Sequence, residues 1–457
     1  MDMQARTSRE SVVVACPDAR PPAYQAAIGL GRAGMLKRFV TSYYHDPESL
    51  ASSLARRISP RAFARWQRVL VRRHDVEIPA ARVSSVPSVD VALKLESRLA
   101  GKRPRLKRAV AKARTHWFDR HLARRLAADP PETLLVFSDV GAGVSLPLCR
   151  RLGIGTVLSM VHGDVREEAE VLETEAALAP DFFPMYLGDG ALDQVELSWL
   201  HERRLRDLAL ADLVLVPSDH IADELASHGL PRERVRVIPY AADCRRFRPL
   251  SGKRHEASCT FLFAGGISQR KGIKYLLEAW AQVRRPGWKL QLLGAAPKNL
   301  GPMAGLLDGV ELLGRVGHPE VPAHMAAADV FVFPSLFEGS AVVTYEALAC
   351  GLPSIVTAAA GSVVRHGAEG FHVPARNVAA LAAEMERLGD DPRLRARMSA
   401  AARSRALDFD WPRYHVAVAD AVSDLSRSQS LIRTEADRRA PSHRRAEAAA
   451  KPNTRIR

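Results

Sequence analysis

Short, almost purely apolar runs alternate with helix-like stretches along nearly the whole chain, and that alternation leaves few folds open. The runs are VVVA from Val12, Leu36 to Thr41, LLVF from Leu134, TVLS from Thr156, LVLV from Leu213, RVIP from Arg236, TFLFAG from Thr260, KLQLLG from Lys289, VFVFPS from Val330 and PSIVT from Pro353. Strands without polar alternation belong in parallel sheets covered by helices on both faces. One compact sheet rarely takes in so many, and a chain of 457 residues, 47% of them apolar, can supply two cores. The pattern therefore predicts an α/β chain of two doubly wound, Rossmann-like domains, residues 1–240 and 259–409. The joint falls at 241–258, within the Pro-, Arg- and Gly-containing stretch YAADCRRFRPLSGKRHEAS. Residues 427–457 are basic and lack apolar periodicity, and are read as a disordered tail.

GLGRAG, Gly29 to Gly34, spells the dinucleotide fingerprint G-x-G-x-x-G. That motif works only when its glycines form the turn directly after a strand, so that the next helix aims its first amides at a pyrophosphate. Here the first strand ends near Ala15, and PDARPPAYQAAI already contains the turn and the start of a helix. Gly29 and Gly31 are thus expected inside that helix, with Gly34 capping its end. No nicotinamide, flavin or other cofactor is expected.

The net charge of +15 points to phosphate-bearing partners: nucleic acid, anionic lipid or a nucleotide ligand. Zinc-finger spacing, aromatic–basic RNA motifs and helix-turn-helix signals are missing, which argues against nucleic acid. Basic residues concentrate in Arg56–Arg73, with seven arginines and no acid, and in Lys102–Arg125, with ten basic residues against Asp119. The first of these interleaves Ile58, Phe63, Trp66, Val69 and Leu70. That pattern suits either peripheral contact with an anionic membrane or a solvated helix face. No apolar run is long enough to span a bilayer, and the first residues lack the apolar stretch of a signal peptide, so a cytoplasmic protein is expected. Five scattered cysteines without a C-x-x-C pair suggest free thiols, neither disulfides nor a zinc site.

The chemistry concentrates in VFVFPSLFEGSAVVTYEALACGLPSIVT, Val330 to Thr357, which reads strand, loop, helix, Gly-Pro stop, strand. Its loop follows the carboxyl end of a parallel strand, where open α/β sheets bind ligands, and the amides after Glu338 form an anion site. Ser340 is the expected helix cap. Glu346 lies roughly 8 Å beyond Glu338 by helical rise, about the reach of a diphosphate between two sugar rings. Two glutamates so spaced could equally be a first-turn residue and a solvated one. A second strand–loop–helix unit, FAGGISQRKGIKYLLEAW, shifts the balance, because it sets Arg270 and Lys271 just before a helix as a diphosphate clamp.

These residues, together with ADLVLVPSDHIADELASHGLPRERVRVIPYAADCRRF, GRVGHPEVPAHMAAADVFVFPS and AGSVVRHGAEGFHVP, resemble the retaining glycosyltransferases of family four. The resemblance is dense from about Ala211 to Pro412 and thin before it. It implies a GT-B architecture with an interdomain cleft, a helix at 410–426 that crosses back to the first domain, and a nucleotide-sugar donor. By the same resemblance Glu346 would hold the ribose and Glu338 the donor sugar, and Arg270 and Lys271 would neutralise the diphosphate. Gly265 and the backbone amides of Gly339, Ser340 and Ala341 would line the same site, Arg315 and Val316 would flank the base, and His162 in SMVHGD would lie beside the sugar.

The chain departs from the family in three places: Gly266 stands where an arginine is common, EGSA replaces EGFG, and CPDARPP replaces a glycine pair after the first strand. The implied activity is sugar transfer, with retention, to a glycan, lipid-linked glycan or small-molecule acceptor. It needs no metal, since Arg270 and Lys271 already supply positive charge. An epimerase or phosphorylase on the same fold is the alternative.

Overall fold

In a computed structural model of the chain, the described residues are 11–59, 61, 63, 73–99, 103–188, 193–250, 252 and 258–439. The first sheet contains β1 (Val12–Ala15), β2 (Leu36–Thr41), β3 (Val83–Ser85), β4 (Thr133–Phe137), β5 (Gly155–Ser159), β6 (Leu213–Val216) and β7 (Val235–Val237). Its order is β3-β2-β1-β4-β5-β6-β7 and every pairing is parallel, with Val14 opposite Phe39 on one side and Leu135 on the other. The second contains β8 (Cys259–Ala264), β9 (Trp288–Leu293), β10 (Val310–Gly314), β11 (Val330–Phe333), β12 (Ser354–Val356) and β13 (Gly370–His372), in the order β10-β9-β8-β11-β12-β13 and again parallel. Two doubly wound α/β domains are therefore present, as the apolar runs require.

The order reverses between β1 and β4 in the first sheet and between β8 and β11 in the second. Loops on either side of such a reversal leave in opposite directions and open a crevice at the carboxyl ends of the strands. Each domain thus has one such crevice. The strands around it are sealed: Val12, Val14, Leu135, Phe261, Phe263, Val330 and Val332 are all fully buried.

Gly29 and Gly31 lie within the helix Pro21–Arg32, and Gly34 ends it with φ +73. Gly29 has a packing role, since a Cβ there would lie 2.7 Å from the Cα of His415. His415 belongs to the last helix, Trp411–Arg439, whose Tyr414, Val418, Ala421 and Val422 are buried. This helix lies on the first domain: the Tyr414 hydroxyl donates to the Pro22 carbonyl at 3.3 Å, and Ser426 meets Thr133 at 3.1 Å.

The helix continues to Arg439, so residues 427–439 are not the disordered tail that their polarity suggests. Contacts made after folding account for the difference: Gln429, for one, donates to the Asp212 carboxylate at 3.1 Å. Residues 440–457 lie outside the described residues, as do 60, 62 and 64–72, which include Trp66, Val69 and Leu70 of the basic segment. Among the described residues no helix is long and apolar enough to cross a membrane.

Candidate active site

At the second crevice the loops after β8 and β11 enclose a cavity of about 400 Å³. Gly265, Lys271, Arg315, Val316, Glu338, Ser340, Ala341 and Glu346 line it, whereas Arg270 and Gly339, also singled out in the sequence, are not part of its lining. Lys271 Nζ is hydrogen-bonded to Glu338 Oε1, Arg270 Nη1 lies 3.4 Å from the same oxygen, and the Ser335 hydroxyl donates to it at 3.3 Å. Arg270 also donates to the Phe337 carbonyl at 3.2 Å. Glu346, on the helix Val342–Ala349, faces His318 Nε2 at 3.4 Å.

Lys271 and Glu338 are 14% and 11% exposed, which makes their mutual pairing decisive. Burial pushes the Lys271 ammonium down to about 8, with Glu338 pulling against that shift. For Glu338, burial opposes the charge, but Lys271 and then Arg270 overcome it and hold the carboxyl below its usual range. The pair is charged at neutral pH, with two cations against one carboxylate. That leaves an excess of positive charge in the loop that leads into the helix Val342–Ala349.

The loop at 339–341 works differently from the sequence expectation. Ser340 does not cap the helix, because its hydroxyl donates to the Gly361 carbonyl at 2.7 Å and meets the Tyr345 hydroxyl at 3.1 Å. The Ala341 amide is also engaged, donating to Ala360 O at 3.0 Å, so it cannot serve an anion. Gly339 is needed for contact with the first domain. A Cβ there would lie 2.4 Å from the Val161 carbonyl oxygen and 2.8 Å from the His162 nitrogen.

His162 is brought to this loop only through its backbone. Its Nδ1 donates to Gly163 O at 2.8 Å, while its ring lines a separate small cavity with Ser138, Arg204 and Asp207. Burial and then Arg204 push the imidazole down to about 4, so it is neutral at pH 7. A wider, more open hollow of about 730 Å³ lies among Arg150, Arg151 and Arg206, but its lining includes no carboxylate.

His318, Ser335 and Gln269 lie within the quoted stretches, but no motif marked them, or Tyr186 and Glu175, as neighbours of this site. Tyr186 O accepts the Arg270 amide at 3.1 Å, and the Ser218 hydroxyl donates to Gly339 O at 3.1 Å. Both Tyr186 and Ser218 belong to the first domain. Only folding brings them to the loops after β8 and β11, so no local pattern could have marked them.

Two family models match the chain in tandem: Glycosyltransferase Family 4 over residues 61–246 and Glycosyl transferases group 1 over residues 258–391. The chain belongs to glycosyltransferase family four. Among similar family members are a D-inositol 3-phosphate glycosyltransferase of Pseudarthrobacter chlorophenolicus, 33% identical over 49% of this chain and 60% of the relative, and an alpha-D-kanosaminyltransferase of Streptomyces kanamyceticus, 29% identical over 44% and 56%. The chain thus spans less than two thirds of the length of these relatives. Among solved structures, sucrose-phosphate synthase from Thermosynechococcus elongatus superposes with a TM-score of 0.62 at 19% identity, covering 92% of this chain and all of that one. Anabaena HepE in complex with UDP and glucose gives 0.57 at 16% identity, covering 91% and 100%. The fold of this family-four chain is GT-B.

Proposed function

We propose that the chain transfers a sugar from a nucleoside-diphosphate donor to an acceptor hydroxyl with retention of anomeric configuration. One observation carries the reading: Lys271 and Glu338 line the cavity as an ion pair that Arg270 joins at 3.4 Å, with Glu346 in the same lining, on the helix that starts beyond them. Negative charge grows on the diphosphate as the glycosidic bond breaks, and fixed cations lower that barrier because they need not reorganise. In this reading Glu338 keeps Lys271 oriented while it meets sugar hydroxyls, Glu346 holds the ribose, and the base lies against Arg315 and Val316. The UDP held by the HepE structure fits such a donor.

The acceptor, a glycan, lipid-linked glycan or small molecule, lies at the first domain's crevice. There Asp18 and Arg20 after β1, paired at 2.8 Å, stand in place of the family's glycine pair, and Arg20 lies 4.0 Å from Asp139 after β4.

Thermal-shift measurements with UDP-, GDP- and ADP-sugars test this function. A donor at a hundred times its dissociation constant stabilises the native state by about 2.7 kcal/mol. We expect such a shift with one of them and turnover that survives EDTA, since protein cations do the work of a metal. A donor sugar epimerised without acceptor, or turnover lost on chelation and restored by magnesium, would overturn the assignment.

The membrane contact belongs to the same proposal. Leu50, Leu54 and Ile58 are exposed along one side of the helix Leu50–Ile58, beside Arg56 and Arg57. That stripe suits an anionic bilayer surface. Vesicles rich in phosphatidylglycerol should retain the protein at low salt and release it at high salt; failure to retain it would favour a soluble acceptor.

A further inference from the structure

Glu175 belongs to the first domain, on the helix Val165–Leu178, and is fully buried. Yet the hydrogen bonds to its carboxylate come from the second domain. Gln269 Nε2 donates to it, the Tyr275 hydroxyl donates at 2.9 Å, and Arg376 Nε donates at 2.7 Å. Gln269 immediately precedes Arg270 and Lys271 in a single turn, Gln269–Lys271, and its Oε1 accepts the Lys274 amide at 3.2 Å. Arg376 reaches Glu175 from a left-handed backbone, φ +67, that an arginine rarely adopts.

A buried carboxylate is tolerable only while its partners are present, because stripping it of them leaves an unsolvated charge. When the domains part, water must replace Gln269, Tyr275 and Arg376 around Glu175. The turn then loses its support from the first domain.

We propose that Glu175 is a positioning residue for the donor site: a first-domain carboxylate that fixes the Gln269–Lys271 turn, so that Arg270 and Lys271 take up their working geometry only in the closed cleft. The inference rests on the donor-site reading above. It adds that the clamp is completed by domain closure. The same linkage makes bound diphosphate favour closure, since the coupling acts equally in both directions.

Hydrogen exchange on the full chain tests the contact without reference to activity. In the free protein, Glu175→Ala should speed exchange in the segment 266–276 by about tenfold or more while β8 and β11 keep their protection. Arg376→Gly should act in the same direction, and glycine suits that backbone, so no strain is added. Glu175→Gln, which retains an acceptor oxygen, should fall between wild type and Glu175→Ala.

The functional arm uses UDP, GDP and ADP in calorimetry, and the donor KM and kcat. Both Glu175→Ala and Arg376→Gly should weaken the nucleotide that binds wild type and raise KM more than they lower kcat. A lower melting temperature with unchanged exchange at 266–276 and an unchanged KM would make Glu175 a packing residue and overturn the proposal. If Glu175→Ala does not fold, Arg376→Gly decides by the same criteria. If wild type binds none of the three nucleotides, the donor reading and the positioning role fall together, and the exchange data still report whether the contact exists.

Discussion

Lys271→Ala is expected to lower kcat/KM by two to three orders of magnitude. The Lys271 ammonium is the closest cation to Glu338 and is largely buried with it. Removing one partner of such a pair costs about 3–5 kcal/mol, because the other charge remains without compensation. Here the penalty adds to the loss of a cation at the departing diphosphate. Arg270, 3.4 Å from Glu338, cannot serve both needs. Lys271→Ala with Glu338→Ala should recover part of the nucleoside-diphosphate affinity, since neither charge is then orphaned. Activity of the single variant within threefold of wild type would remove Lys271 from the clamp.

The same pair predicts an alkaline limit. Burial places Lys271 at about 8, so its proton is present at neutral pH and leaves as pH rises through that value. Diphosphate affinity of the free enzyme, and with it kcat/KM, should fall on that limb. In Lys271→Arg the limb should vanish, whatever the residual rate, because a guanidinium does not titrate in this range.

The second large effect separates the two glutamates. Glu346→Ala should weaken both donor and free nucleoside diphosphate by about ten- to a hundredfold, the loss of a charge-assisted hydrogen bond worth roughly 1.5–3 kcal/mol. Glu338→Gln should do something different. Glu338 pairs with both Lys271 and Arg270, so removing its charge releases both cations from that pairing. Nucleoside diphosphate should then bind as tightly as before, or more tightly, while turnover falls. Calorimetry with the diphosphate and turnover with the intact donor distinguish the roles. Equal losses of diphosphate affinity in both variants would abolish the division of labour.

What could be read from the sequence follows from how local the cause is. Apolar runs marked the strands in the sheet interiors because those strands are buried on both faces. The edge strand β7 was still marked by RVIP, whereas the edge strands β3, VSS, β10, VELLG, and β13, GFH, were missed because a polar residue or a glycine interrupts each short run. Arg270, Lys271, Glu338 and Glu346 were legible because strand–loop–helix order alone sends them to the carboxyl ends of strands. The role of Ser340 was not, because the competing acceptor, Gly361, is positioned by the tertiary fold. Glu175 and Arg376 are 201 residues apart in sequence, and nothing near either one suggests the other. His162 was singled out by its place after β5, which fixed its backbone beside Gly339 but not the direction of its ring.

The return of the last helix to the first domain also decides how the two halves can move. The chain passes between domains twice, once after β7 and again before Trp411, and the passages are tied together where the Ala242 amide donates to Phe409 O at 3.2 Å beside the Ala242–Asp410 bridge. Two adjacent tethers act as a hinge pin. They permit opening and closing about one place and resist the swivelling that a single flexible strand would allow. Arg270 and Gly339 would therefore return to the same partners, Tyr186 and Ser218, on every closure. A backbone cut in the first passage would leave the halves joined through the second.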